Sequence, residues 1–124
     1  ERLVKERTKN KSMGSESTFF DDIESFGIIS MKLKTIAKKI IKSLHKGDEK
    51  IKTVTIKIKY ADFVLKTRSK TLNHYTWSEK EITDTCIYLL KQEELLKPVR
   101  LLGVSLSNFE SEKVIDVNQQ TFDF

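Results

Sequence analysis

The stretch TVTIKIKYADFVLKTRSKTL, residues 53–72, decides how this chain folds. In its first half Val54, Ile56, Ile58 and Tyr60 alternate with Thr55, Lys57 and Lys59. Side chains on a strand point to opposite faces in turn, so residues 53–60 read as a strand with one apolar face and one wet face. A turn around Ala61 and Asp62 leads into a second strand, residues 64–72, with Lys66, Arg68 and Lys70 on one parity. The pair reads as a hairpin with a basic open face.

Working outward, the segment before the hairpin is helical. Leu33, Ile36, Ala37, Ile40, Ile41 and Leu44 recur at the spacing of one helical face, which predicts a helix over residues 30–44. Lys32, Lys34, Lys38, Lys39 and Lys42 solvate its remaining surface, and Gly47 suits a left-handed cap. Further upstream KSMGSESTFF, residues 11–20, reads as a short strand in which Gly14 marks a bulge or a close approach. After the hairpin, NHYTWS turns into a second helix with Ser78 as N-cap and Glu81 completing a capping box. Ile82, Cys86, Leu89 and Leu90 form its core stripe, and Pro98 stops it beyond Leu96. In the last strand, residues 99–109, Leu102, Val104 and Leu106 alternate with Gly103, Ser105 and Ser107. The order is β-α-β-β-α-β, an α+β fold: a four-stranded antiparallel sheet with two helices on one face. The other face would offer Thr, Ser, Lys and Arg side chains, which bond phosphate oxygens.

A chain of 124 residues with 38 % hydrophobic content supports one core. We expect a linker over residues 1–10, a domain over 11–109 and a tail over 110–124. The net charge is +5, unevenly spread. From Ser107 onward Glu110, Glu112, Asp116 and Asp123 stand against Lys113 alone, three net negative, which leaves +8 on the rest. A basic body with an acidic tail predicts two different partners. The single cysteine, Cys86, sits among apolar neighbours and reads as a buried thiol in a reducing, cytoplasmic setting. No apolar run approaches a membrane span, and the charged amino terminus is unlike an export signal. Catalytic candidates are lacking. Asp21, Asp22 and Glu24 read as a loop charge patch, His45 and His74 have no companion ligands for a metal, and no Gly-rich phosphate loop follows a strand. The residues point to a binding module without catalytic or metal-ligating groups.

Three segments in order, KSMGSESTF (11–19), KTRSKTL (66–72) and PVRLLGVSLSNF (98–109), resemble the little finger of Y-family translesion DNA polymerases of the polymerase IV type. ERLVKERTKN, residues 1–10, resembles the tether from thumb to little finger in such enzymes. The resemblance implies that palm, fingers and thumb, with catalytic carboxylates and magnesium, belong upstream, and that this stretch carries no cofactor. It further implies a monomeric domain whose sheet lies along the major groove of double-stranded DNA and touches phosphates without reading sequence. The positions matching family phosphate contacts are Lys11 and Ser12, then Arg68, Ser69, Lys70 and Thr71, then Arg100. Ser105, like Leu101, stands where some relatives carry a basic residue. The last six residues, QQTFDF, resemble the family's peptide for the DNA polymerase sliding clamp, with Gln119, Phe122 and Phe124 in the matching positions. Two aromatic rings on an exposed tail make good anchors for a partner's pocket. The rival readings are a module that binds only the clamp, and an RNA-binding sheet. Such RNA sheets stack bases on aromatics of their central strands, whereas residues 53–60 and 99–109 place Lys, Thr and Ser on the exposed parity.

Overall fold

Alternation over residues 53–60 and 102–106 and 3.6-residue periodicity on the helices give these elements one apolar side each, and one core takes them all. The computed structural model describes residues 12–110. It contains β1 (Ser12–Ile23), α1 (Phe26–Lys46), β2 (Ile51–Tyr60), β3 (Leu65–Thr76), α2 (Glu79–Lys91) and β4 (Val99–Ser107). The strands form one antiparallel sheet in the order β1-β4-β2-β3. α1 packs on β1 and β4, α2 on β2 and β3, and the helices touch each other. The expected β-α-β-β-α-β arrangement with both helices on one face is therefore the observed one.

The core stripe of α1 is buried along its length, from Ile29 through Leu33, Ile36, Ala37, Ile40 and Ile41 to Leu44. Beneath the helices lie Val54, Ile56 and Ile58 of β2 and Leu102, Val104 and Leu106 of β4, with Phe109 closing the end. Cys86 is fully buried, and burial pushes its thiol up to about 12. Among the described residues, no helix is long and apolar enough to cross a membrane.

Element ends depart from the sequence reading where local hydrogen bonds outvote periodicity. α1 starts at Phe26 rather than residue 30, because the Ser25 hydroxyl accepts from the Ile28 amide at 3.4 Å and Ile29 already belongs to the buried stripe. Gly47 stays right-handed (φ −83°); Asp48, of a type that tolerates it, takes the left-handed position at φ 56°. Ser78 does cap α2, accepting from the Glu81 amide at 3.2 Å. The reciprocal half of the capping box is missing, since the Ser78 amide donates to Thr76 Oγ1 and the Glu81 carboxylate meets His74 Nε2. α2 ends at Lys91, before the expected stop past Leu96, and the chain reverses through Leu95 at φ 51°, whose side chain packs against the core. Both edge strands outrun the expectation. β1 continues past a register shift to Ile23, which puts Asp21 and Asp22 in a strand, not a loop, and β3 runs on through residues 73–76.

Candidate nucleic-acid interface

Strand register decides which side chains the uncovered face presents. Rows of partners run across the sheet from β1 through β4 and β2 to β3. One row is Ser12, Ser107, Thr53 and Thr71; the next on the same side is Gly14, Ser105, Thr55 and Ser69; the third is Glu16, Gly103, Lys57 and Thr67; the fourth is Thr18, Leu101, Lys59 and Leu65. None of these belongs to the core beneath the helices. The face is mostly hydroxyls and small residues, with two lysines and one glutamate. Thr53 Oγ1 pairs with Thr71 Oγ1 at 2.9 Å and accepts from Asn108 Nδ2, while Thr55 Oγ1 pairs with Ser69 Oγ at 2.8 Å. Each pair uses one hydroxyl proton between its partners and leaves the other to donate to a ligand oxygen.

The register corrects the basic open face. Lys66, Arg68 and Lys70 sit opposite Ile58, Ile56 and Val54, so they share the helix side of the sheet, not the open side. They are tolerated there because β3 is an edge strand, where α2 covers them only in part. Lys70 Nζ lies 5.4 Å from the Tyr88 ring centroid. Arg68 Nε donates to Glu93 Oε2 at 2.6 Å, and Tyr60 donates its hydroxyl to Glu93 Oε1 at 2.9 Å. Burial pushes the Glu93 carboxyl up, but the hydrogen bonds from Arg68 and Tyr60, aided by the charges of Arg68 and Lys66, outweigh it and hold it below the ordinary value. Burial and the bond to Glu93 push the Tyr60 phenol well above its ordinary value. Arg68 thus belongs to a structural network that sequence reasoning missed.

The other predicted positions fall as follows. Ser12, Ser69, Thr71 and Ser105 lie together on the open face. Arg100 occupies the irregularity where Tyr60 pairs with Val99 while Lys59 pairs with Leu101, and its Nε is 3.7 Å from Asp22 Oδ1. Lys11, Gln119, Phe122 and Phe124 lie outside the described residues.

One feature of the open face was signalled by a residue type, a glycine inside a strand. Lys57 Nζ and the Glu16 carboxylate form an ion pair between β2 and β1, although β4 lies between these strands. The residue beneath is Gly103, where a Cβ would stand 3.2 Å from Glu16 Cγ and 3.5 Å from Lys57 Cβ. The bare α-carbon lets the two stems converge without the shift that a Cβ would force on the Glu16 side chain. Around this bridge the sheet forms a shallow concavity of ≈ 490 Å³, lined by Ser12, Gly14, Thr55, Thr67 and Ser105 among others. Among the described residues, no group of three or more His, Cys, Asp and Glu side chains could hold a metal ion.

Residues 10–121 match the model of the impB/mucB/samB family C-terminal domain. The chain belongs to that family. This impB/mucB/samB C-terminal domain is 39 % identical over 120 residues to DNA polymerase IV of Leptospira interrogans serovar copenhageni, covering 90 % of this chain and 33 % of the relative. It is 38 % identical over 111 residues to DNA polymerase IV of Clostridium perfringens strain SM101, covering 89 % and 31 %. The chain therefore spans about a third of the length of these relatives. Its fold matches the little finger domain of PolIV in a complex with the beta-clamp processivity factor, at TM-score 0.64 and 19 % identity over 77 % of this chain and 86 % of that one. A Y-family DNA polymerase chimera matches at TM-score 0.70 and 20 % identity, over 81 % and 29 %. The impB/mucB/samB C-terminal domain described here thus has the little-finger fold and is similar in sequence to about a third of DNA polymerase IV.

Proposed function

We propose that this domain holds duplex DNA by its backbone, through the open face of the sheet, as the non-catalytic grip of a longer cytoplasmic polymerase. The observation that carries the reading is the uncovered four-stranded face, paved mostly with Ser and Thr hydroxyls and glycines and carrying Lys57 and Lys59 on β2, with Arg100 at the irregularity next to Leu101. Hydroxyls and cations bond phosphate oxygens, and small residues let a duplex approach the strands closely. Among the described residues this face is mostly Ser, Thr and Gly, which suit contacts to the backbone that every sequence shares. Compared with the sequence reading, the weight shifts from Arg68 and Lys70 to Ser69, Thr71, Ser105, Lys57 and Lys59. In this reading nucleotidyl transfer and its magnesium ions belong to other parts of the polymerase.

The tail supplies the second half of the proposal: Gln119, Phe122 and Phe124 tether the polymerase to its sliding clamp. The support is the match to the clamp-peptide pattern, together with a related little finger that forms a complex with a beta clamp.

The test is a titration of fluorescent duplex with this chain at increasing salt. Each phosphate contact by a cation steepens the fall of log K with log salt by about 0.9, so Lys59 and Arg100, with Lys57 held in its bridge to Glu16, predict a slope of roughly −2. Affinity that does not respond to salt would overturn the reading.

A further inference from the structure

The hairpin turn breaks a local rule. The Phe63 amide donates to Tyr60 O at 2.8 Å and the Tyr60 amide to Val64 O at 2.9 Å, which makes Ala61, Asp62 and Phe63 a three-residue loop. The third residue of such loops sits in the left-handed region, where glycine is favoured and a bulky side chain is strained. Here it is Phe63, at φ 69°. Among the described residues three others have positive φ: Asp48 and Asn108 are of tolerant types, and Leu95 is packed against the core. Phe63 has neither excuse, because it is 62 % exposed. The turn is nevertheless firmly held. Asp62 Oδ1 accepts from the Val64 amide, Asp62 Oδ2 pairs with Lys97 at 2.6 Å, and the Ala61 amide donates to Pro98 O. That pairing, led by the Lys97 hydrogen bond, keeps the Asp62 carboxyl below its ordinary value. A strained, exposed aromatic on a rigid turn is where a functional reason is sought.

The ring's surroundings state the chemistry. Arg100 Cζ lies 4.6 Å from the ring centroid and Lys59 Nζ 5.8 Å from it. Lys59 stands in the same open-face row as Leu65, which is half exposed. Arg100 Nε also lies 3.7 Å from Asp22 Oδ1. An exposed ring flanked by cations at the rim of a phosphate-binding face is the combination by which proteins take single-stranded nucleic acid, since every base has a stackable face. We infer that Phe63 stacks on an unpaired nucleotide where the duplex held by the sheet gives way to single strand, with Lys59 and Arg100 receiving the neighbouring phosphates. The inference rests on the duplex-holding reading.

The experiment compares three ligands on the same chain: a blunt duplex, that duplex with a single-stranded overhang carrying 2-aminopurine, and the overhang strand alone. The expected result is at least about fivefold tighter binding of the overhang duplex than of the blunt one, from the stacking of one base, with quenching of the 2-aminopurine. Phe63→Asn, which accepts the left-handed backbone and so keeps the turn, should erase both differences while leaving blunt-duplex affinity unchanged. Phe63→Trp should restore them. If blunt and overhang duplexes bind equally, or if Phe63→Asn weakens both alike, Phe63 only supports Arg100 and Lys59, and the inference is overturned. If the blunt duplex does not bind but the single strand is still quenched in a Phe63-dependent way, the duplex grip fails and the stacking stands. Binding of none of the three overturns both.

Discussion

Glu93→Ala isolates the network that engages Arg68 on the helix side of the sheet. The Glu93 side chain is 9 % exposed and accepts from both Arg68 and Tyr60. Tyr60 is 6 % exposed, so without Glu93 its hydroxyl loses its partner inside the protein, at about 1–3 kcal/mol. Arg68 is 40 % exposed, and water rehydrates much of its charge, so its part is at most ~1 kcal/mol. The total of roughly 1–4 kcal/mol corresponds to a Tm lower by at least about 5 °C in a domain of this size. Tyr60→Phe removes the donor as well as the need for it, and is expected to cost under ~1 kcal/mol, since Arg68 still satisfies the carboxylate. Thermal melts followed by circular dichroism measure both. The companion measurement is duplex affinity of Arg68→Ala, which should change less than about twofold if the arginine is committed to Glu93. A Tm within 2 °C of the parent for Glu93→Ala, together with a tenfold loss of duplex affinity in Arg68→Ala, would refute the reasoning and return Arg68 to the DNA.

Four further outcomes are expected. Because the folded-state pKa of Glu93 is depressed, its contribution is fully present above the ordinary value of 4.5 and is lost as pH falls through the lower folded value; the acid limb of stability should flatten in Glu93→Gln, as urea melts across that range would show. Glu16→Gln releases Lys57 from its bridge over Gly103, so duplex affinity should rise and the salt slope steepen by up to about 0.9, readable by anisotropy. Ser25→Ala removes the N-cap of α1 and should cost about 0.5–1 kcal/mol in chemical denaturation, at the low end because the bond is 3.4 Å long. Phe122→Ala combined with Phe124→Ala should abolish calorimetric binding to the sliding clamp and leave duplex affinity intact, whereas unchanged clamp affinity would dismiss the tail as the tether.

Periodicity was enough for the architecture. The stripe from Leu33 to Leu44 and the alternation from Val54 to Tyr60 and from Leu102 to Leu106 name the core, because burial of apolar area dominates folding and each of these elements has one apolar side to bury. Three ordered motifs then sufficed to place the chain in its family. What alternation could not say is which face β3 turns to solvent. Its parities carry Lys66, Arg68 and Lys70 or Thr67, Ser69 and Thr71, neither apolar, so hydrophobicity gives no vote and a one-residue shift exchanges the two sets. Pairing with β2 settles it, by setting Arg68 opposite Ile56 and within reach of Glu93. The same holds for contacts between residues distant in sequence. Glu16 meets Lys57 over Gly103, and Phe63 meets Arg100, because strands far apart along the chain become neighbours in the sheet. Local sequence determines which side chains exist and how they alternate; only the folded sheet determines which of them share a surface.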